Sequence, residues 1–444
     1  MNVRTPALAI LLVVITAACD GLVDLQPVDR LTDETAIADA RGARAALTGA
    51  YAALQSGSYY GGDFLFFNDL SADNAIHTGT FNNYFDAARN ELRADNTFVA
   101  GMWNAMYDGI NRTNHIIQRV PELEDLTPEE RDLIVGQAHF LRALHYHNLV
   151  RLWDGVPIRT QPIEGVTEAS QIARSTVSEV YDQIMSDLAA ARSMVTTGTD
   201  TRRATPGAVE ALLARVHLYR ENWPAAEAAA GAVEAMGYTL APDFDDLHTG
   251  DGQDTVEDIF RVLFTLEQWQ FLGFYYITPQ LGGRGELSAQ QALVDAFEPG
   301  DLRRDLTVQP GEGDTGYYGV RFPTTNGAEH PHVVRFAEVI LTKAEALAQQ
   351  GRLGEAIDEY NRVRVRAGLP EHELDTDVSG QQEVLEAIWH ERRLELALEG
   401  DRFSDLRRSD RAEQVLEIPE YQSRFPIPQR EIDVAPNMTQ NPGY

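Results

Sequence analysis

The chain has 444 residues, and its 37 basic and 68 acidic residues give a formal net charge of −31. Such an excess of carboxylates argues against a nucleic-acid backbone or an anionic membrane surface as the main partner, so no nucleic-acid binding is expected. Cys19 is the single cysteine. It excludes an internal disulfide and a CxxC redox or zinc motif.

The N-terminus has the layout of a secretory signal peptide over residues 1–18. Arg4 precedes an apolar run at 7–15, and the small residues Ala17 and Ala18 stand directly before Cys19. The apolar run is too short to span a bilayer. A signal that ends on a cysteine resembles the lipobox of bacterial lipoproteins, although Thr16 replaces the usual leucine. The resemblance implies lipidation of Cys19; the alternative is an ordinary signal with an incidental cysteine. The next residues lack helical periodicity and contain Pro27, which predicts a lipidated cysteine and tether over 19–32 and a folded domain over 33–444.

Helical periodicity dominates the rest, at 40–54, 102–120, 175–195 and 384–398, with Ser175 as the expected N-cap of the third. The stretch 133–158 has apolar residues on two faces, which predicts a helix packed between neighbours. Asp154 and Gly155 supply turn chemistry, and Pro157 disfavours helix before it, so this helix should end near residue 153. Its histidines, His139, His145 and His147, lack the i, i+4 spacing of a metal pair, which favours core or capping roles over metal binding.

Two later stretches, 206–237 and 335–368, repeat each other. Aligned 130 residues apart, they pair Ala214 with Ala344, Ala226 with Ala356, and Val233 with Val363. Small residues twelve apart, one on each helix of a helix-turn-helix, resemble the small positions of tetratricopeptide repeats, with Leu347 and Tyr360 at large positions. Lys343 and His217 depart from that pattern. We predict a mainly all-α fold, a tetratricopeptide-like helical-repeat scaffold of about four units with large irregular loop insertions.

The insertions, near 55–101 and 240–326, mix aromatic residues with Gly, Asn, Asp and Arg. Long loops of this kind are usually functional. Sugars offer flat C–H faces and a rim of hydroxyls, which aromatic platforms and polar side chains can bind. For each aromatic residue the alternative is packing of the loop onto the scaffold. The predicted ligand-binding residues are Tyr59, Tyr60, Asp73, Asn74, Phe81 and Tyr84 in the first insertion, and Trp269, Tyr275, Tyr276 and Arg284 in the second.

The remaining motifs do not indicate an enzyme. A GxGxxG pattern begins at Gly311 but lacks the strand and helix of a dinucleotide site. An acidic cluster at 243–254 could hold calcium, but it lacks EF-hand spacing and is better explained as a solvated loop. No zincin or GxSxG motif occurs, and no carboxylate pair is singled out as a hydrolase dyad. We therefore predict no catalytic residues, no cofactor and no metal; an acid-pair hydrolase is the enzyme alternative.

Four segments occur in order: LRALHYHNLVRLWDGVPI, AEALAQQGRLGEAIDEYNRVRVRAGLP, ERRLELALEGDRFSDLRR and FPIPQREIDVAPNMTQNPGY. Together with the lipobox-like start they closely resemble the SusD/RagB-like family of outer-membrane nutrient-binding lipoproteins. The resemblance implies a lipid-anchored protein, exposed on the outer membrane of a Gram-negative-type bacterium, that hands oligosaccharides to a TonB-dependent SusC-like porin. A peptide- or protein-binding lipoprotein of the same fold is the alternative. These segments carry no ligand residues with them.

Overall fold

The computed structural model describes residues 36–163, 172–248, 254–312 and 316–444. The predicted signal peptide, Cys19 and the tether lie outside the described residues, as do Gly313 and Asp251 of the motifs above.

The described chain is mainly α-helical, as predicted. Up to residue 248 the elements are α1 (Ala40–Ala52), α2 (Asp63–Leu70), β1 (Ala75–His77), α3 (Asn82–Ala88), α4 (Thr97–Arg119), α5 (Pro128–Trp153), α6 (Val177–Met194), α7 (Pro206–Tyr219) and α8 (Trp223–Ala235). From residue 254 they are β2 (Asp258–Arg261), α9 (Leu272–Tyr276), β3 (Leu287–Ala289), α10 (Gln291–Val294), α11 (Arg304–Thr307), β4 (Val308–Pro310), β5 (Tyr317–Gly319), β6 (His332–Arg335), α12 (Phe336–Gln349), α13 (Leu353–Arg366), α14 (Gly380–Glu395), α15 (Arg402–Arg408), α16 (Ala412–Leu416) and α17 (Gln429–Val434). No helix within these ranges is both long enough and apolar enough to cross a bilayer.

Helix α5 lies at the centre of the scaffold. It packs between α4 and α6, and the stack continues through α7, α8, α12, α13 and α14. From Ile134 to Trp153 every residue except His139 is buried, which confirms that this helix is surrounded by neighbours. The Thr127 hydroxyl caps its N-terminus, and Asp154 ends it with a φ of 64°. The turn chemistry read from the sequence therefore ends the helix where expected.

Two of the three histidines of α5 lie in the core, and the third pairs with a neighbouring helix. His145 and His147 are fully buried, and burial lowers the pKa of His145 to about 3 and that of His147 well below its usual value. Both are therefore neutral at physiological pH. His139 Nδ1 lies 2.7 Å from Asp187 Oδ1 on the neighbouring helix α6.

The two matching repeats form the helix pairs α7–α8 and α12–α13. The small residues aligned between them, Ala214, Ala344, Ala226 and Ala356, are all buried. Lys343, the charged departure from the pattern, is accommodated because its ammonium pairs with Glu234 on α8 and Glu359 on α13. The N-cap predicted at Ser175 is wrong by one residue, since Thr176 and Glu179 form a capping box at the start of α6.

The insertions contain more regular structure than the sequence indicated. The first includes α2, β1 and α3, and the second contributes β3, β4 and β5 to a four-stranded antiparallel sheet of order β1-β3-β5-β4. In that sheet Ala75 of the first insertion pairs with Ala289 of the second. Strand β2 pairs antiparallel with β6. One sheet therefore joins the two predicted insertions.

The C-terminal segment contains α17 and lies against the scaffold. Phe425 and Ile427 are fully buried, and the indole N–H of Trp153 at the end of α5 donates to the carbonyl oxygen of Pro426 at 2.9 Å.

Candidate functional site

The segment 391–405 attaches the second insertion to the scaffold through buried ion pairs. Arg335, at the end of β6, donates to Glu257 at 2.6 Å, to Glu395 at 2.5 Å and to Glu399 at 3.1 Å. Arg303, inside the insertion, pairs with Glu391 at 3.0 Å. Since breaking one partner of a buried pair leaves an uncompensated charge, these contacts fix the base of the insertion.

The same segment holds the first insertion. The Ser404 hydroxyl donates to Asn68 Oδ1 at 2.7 Å, and Arg402 Nε donates to Asp73 Oδ1 at 2.7 Å. The Gly400 N–H donates to Asp69 Oδ2 at 3.1 Å, and burial raises the pKa of Asp69 to about 8. The motif ERRLELALEGDRFSD therefore contacts both insertions, and we call it their common base.

The electrostatics of this base depend on arginine. Burial alone would raise the pKa of Glu399, but the charges of Arg321 and Arg335 outweigh it and hold that pKa at about 2. Burial would likewise raise the pKa of Glu395, but the charges of Arg366 and Arg335 outweigh it and lower that pKa. Glu395 and Glu399 are thus ionised throughout the physiological range.

The two insertions meet at Phe271. Its backbone N–H donates to the carbonyl oxygen of Gly61 at 2.8 Å, and its ring lies against Gly57 and Gly62. A Cβ at Gly57 would come within 2.8 Å of that ring, and a Cβ at Gly62 within 3.3 Å. The glycines of the first insertion therefore make room for an aromatic ring of the second.

Glu286 organises the junction further. Its Oε1 accepts from the N–H of Thr80 at 2.7 Å and of Phe81 at 3.0 Å, and its Oε2 accepts from Arg284 Nε at 2.8 Å. His77 Nε2 lies 3.0 Å from Oε1. Burial would raise the pKa of Glu286, but His77, Arg284 and the two peptide donors lower it to about 2. One ionised carboxylate thus positions both Phe81 and Arg284.

A row of half-exposed rings lies above this junction. Arg284 lies 4.4 Å from the centroid of the Phe81 ring and 5.8 Å from that of Tyr275. Tyr275 is followed by Phe274 at 5.8 Å, and Phe274 by Trp269, also at 5.8 Å. Trp269 keeps 40% of its surface exposed, as does the Arg284 side chain. We call this set the aromatic surface: Phe81, Trp269, Phe271, Phe274, Tyr275 and Arg284.

Five predicted ligand residues lie instead in the core. The structure corrects the prediction for Tyr59, Tyr60, Tyr84, Tyr276 and Asn74, each 2% exposed or less, because a side chain without an exposed face cannot contact an external ligand.

The hydroxyls of Tyr59, Tyr60 and Tyr84 have internal partners, whereas that of Tyr276 is buried without a hydrogen-bond partner in the described residues. The Asn148 amide donates to the hydroxyls of Tyr59 and Tyr60, and the Tyr84 hydroxyl donates to Asp63 at 2.7 Å. Asp73 is half-buried and serves the base, since Arg393 and Arg402 share its carboxylate.

The structure brings together Phe81, Trp269, Tyr275 and Arg284 of the predicted set. Phe271 was not predicted. The only features of the sequence that point to it are its place in the aromatic run FTLEQWQFLGFYY and the glycine-rich segment SGSYYGG of the first insertion, which leaves room for a ring.

The other motifs have structural roles in the described chain. Asp254 pairs with Arg261, and no group of three or more metal-ligating side chains occurs among the described residues. Of the GxGxxG pattern, Gly311 follows β4 and Gly316 precedes β5, and the Gly311 N–H donates to the carbonyl oxygen of Gly316 at 2.7 Å. No helix follows Gly316 directly, since Tyr317–Gly319 form β5.

Family models match most of the folded region. A model described as starch-binding and associating with the outer membrane matches residues 33–218, and a SusD family model matches residues 305–423. A SusD-like protein of Formosa agariphila is 25% identical over 478 residues, which cover 94% of this chain and 93% of the relative.

Solved structures share the whole architecture. A SusD superfamily protein from Bacteroides vulgatus superposes with a TM-score of 0.84 at 24% identity, covering 92% of this chain and 99% of that one. A laminarin-binding SusD-like protein superposes with a TM-score of 0.79 at 26% identity, covering 91% of this chain and all of that one. Matched at both ends by family models and along nearly its whole fold by relatives, the chain belongs to the SusD/RagB-like family.

Proposed function

We propose that this protein binds oligosaccharides on the aromatic surface and delivers them to a TonB-dependent SusC-like porin of the outer membrane. The observation that carries the proposal is the row of half-exposed rings ending at Arg284, found on a member of this family. Stacked rings suit the C–H faces of pyranoses, and a guanidinium suits their hydroxyls. A similar structure is named as laminarin-binding, which supports a glycan as the class of ligand.

Arg284 is prepared for such a contact. Its Nε is committed to Glu286, which fixes the plane of the guanidinium. Its two terminal nitrogens donate to no side chain or backbone atom in the described ranges. These nitrogens can therefore donate to a bound sugar without first breaking an internal bond.

The expected affinity is modest. Each neutral hydrogen bond nets only about 0.5–1.5 kcal/mol after exchange with water, and association costs several kcal/mol of lost freedom. We expect dissociation constants on the order of micromolar or weaker, about −8 kcal/mol or less favourable. Weak binding suits a protein that must release its ligand to a transporter.

The proposal also includes lipidation of Cys19, exposure at the cell surface and binding without catalysis. The outer-membrane association in the family description supports the location. The saturation of Glu286 supports the absence of chemistry, because a carboxylate that already accepts from Thr80, Phe81, His77 and Arg284 is poorly placed to act as a general acid.

The experiment is a combined glycan and peptide array probed with the soluble domain, residues 20–444. Binding to oligosaccharides, with each hit recovered at full length after incubation, is the expected result. Hits confined to peptides would favour the alternative of a peptide-binding lipoprotein, and shortened oligosaccharides would contradict binding without catalysis. Affinity purification of the tagged, lipidated protein from its host should also recover a large β-barrel porin. Recovery of the tagged protein without a porin, although a porin encoded next to it is expressed, would count against delivery.

A further inference from the structure

A cavity apart from the aromatic surface lies on the helical scaffold, lined mainly by residues of α14 and α16. Its volume is about 550 Å³, within the usual range for small-ligand sites. Three arginines, one tryptophan and two glutamines characterise its lining: Arg393, Arg402, Arg411, Trp389, Gln382 and Gln414. We call it the arginine pocket.

The cations of this pocket outnumber the carboxylates that face them. Arg393 and Arg402 share a single carboxylate, that of Asp73, at 3.0 and 2.7 Å. Glu386 also lines the pocket, where Gln382 donates to it at 2.9 Å. Asp405 also lies near Arg411, but Arg392 and Arg408 already share its carboxylate. Three guanidinium groups therefore face two carboxylates that are not paired elsewhere, which leaves an excess of positive charge in a protein whose net charge is −31.

Arg411 is the uncompensated cation. Its guanidinium lies 4.6 Å from the centroid of the Trp389 ring. The guanidinium forms no hydrogen bond or ion pair with any residue in the described ranges, although the side chain is half-buried. Half-burial of an unpaired charge is costly, and a stacked ring offsets only part of that cost.

The arginine pocket also has free donors. Arg393 uses Nε and Nη2 on Asn74 and Asp73, and Arg402 uses Nε and Nη2 on Asp73. Nη1 of each donates to no atom in the described part of the chain. Burial lowers the pKa of Arg411, with Arg402 adding to the effect, and it lowers the pKa of Arg393 to about 10. For both cations the cost of burying the charge outweighs the attraction of the nearby carboxylates, which agrees with the contacts above.

We propose that the arginine pocket binds the acidic group of a charged saccharide, a carboxylate or a sulfate ester, with the sugar ring beside Trp389 and the glutamine amides. Guanidinium groups match oxyanions in charge and in geometry. The indole and the amides of Gln382 and Gln414 are the side-chain types that bind sugar rings and hydroxyls. At physiological salt the screening length is about 8 Å, so the local positive excess, not the distant acidic surface, governs the bound anion.

This site is separate from the aromatic surface and does not depend on the proposed glycan delivery. It would let the protein select acidic polysaccharides or hold a second part of a long chain.

The experiment is a titration of the soluble domain with glucuronate, with glucose as the neutral counterpart and sulfate as the bare anion, followed by the indole N–H resonance of Trp389. We expect glucuronate and sulfate to shift this resonance saturably and glucose not to. Arg411→Gln should weaken glucuronate binding tenfold or more, whereas Arg430→Gln, which removes an exposed arginine elsewhere, should leave it unchanged. Trp269→Ala should also bind glucuronate like the parent, because the aromatic surface is a different site.

Several results would overturn the proposal. One is a Trp389 resonance that does not move even at ligand concentrations 50-fold above about 1 mM, since a dissociation constant of about 1 mM corresponds to weak binding. The others are equal glucuronate binding by Arg411→Gln and Arg430→Gln, and loss of glucuronate binding in Trp269→Ala. Binding of sulfate but not glucuronate would mean an adventitious ion only. Arg411→Lys provides a second variant if the glutamine variant misfolds, since it keeps the charge but loses the planar fork, and it should bind glucuronate more weakly than the parent.

Discussion

Replacing Glu286 with glutamine should loosen the first insertion and weaken glycan binding together. The ionised carboxylate accepts from the N–H groups of Thr80 and Phe81 and from Arg284. A glutamine keeps one acceptor oxygen and turns an NH2 group toward donors, so at least one charge-assisted hydrogen bond is lost and a donor clash is added.

The magnitude follows from these contacts. Hydrogen bonds to charged groups contribute about 1.5–3 kcal/mol each, so Glu286→Gln should cost roughly 2–3 kcal/mol of local stability. At 1.4 kcal/mol per factor of ten, opening of this segment should become roughly 30- to 150-fold more frequent. The pKa of Glu286 is lowered to about 2, so the parent's stabilisation is complete above about pH 4.5, the ordinary glutamate value, and is lost as pH falls toward 2.

Native-state amide hydrogen exchange measures this directly, because it reports local opening at single residues. The amides of Thr80 and Phe81 should exchange faster in Glu286→Gln at neutral pH, and glycan affinity should fall about tenfold, which is 1.4 kcal/mol. Glu267→Gln is the matched control, since Glu267 is exposed in the same insertion. Equal exchange and affinity in the two variants would refute the positioning role of Glu286.

Three further outcomes are expected. Cys19→Ser should move the protein from the outer-membrane fraction to soluble fractions, and unchanged fractionation would contradict lipid anchoring. Arg335→Met should lower the free energy of unfolding by about 3–5 kcal/mol in urea titrations, because three buried carboxylates lose their shared partner. In the parent protein, the stabilisation from these ion pairs should decrease below about pH 4.5, as the pH approaches the lowered pKa values of Glu395 and Glu399. Tyr276→Ala should cost about 3–5 kcal/mol of stability as a cavity in the core, and a loss of affinity without loss of stability would show that it faces the ligand after all.

The helical scaffold could be predicted because its signals are local. The apolar faces of α5, the stop at Asp154 and the small residues aligned 130 apart each depend on helical spacing over a few turns. Burial of Ala214 and Ala344 follows from that spacing, since only small side chains let two helix backbones approach.

The candidate site could be predicted only in part, because aromatic residues in loops have two possible environments. Tyr60 and Phe81 stand in the same insertion with similar neighbours, yet Tyr60 is 2% exposed and Phe81 is half-buried beside Arg284. What separates them is a contact about 90 residues away in sequence, the hydrogen bond from Asn148 to Tyr60. Local periodicity carries no information on such contacts, nor on the sheet that joins β1 to β3.

The ion pairs at the base of the insertions were hidden for the same reason. Arginines and glutamates on a helix such as α14 are usually solvated, but Arg392 and Glu395 are buried because distant segments supply their partners.

The central claim, that both insertions form one glycan surface, is tested most directly by calorimetric titration of the best array ligand against Phe81→Ala and Trp269→Ala. One variant removes a ring from each insertion, and Trp223→Ala, which removes a half-buried indole packed on Leu218 and Ala226, is the control. The account predicts that the first two variants each bind about tenfold more weakly, about 1.4 kcal/mol, while circular dichroism and the control's affinity stay unchanged. Parental affinity in both variants would contradict the account.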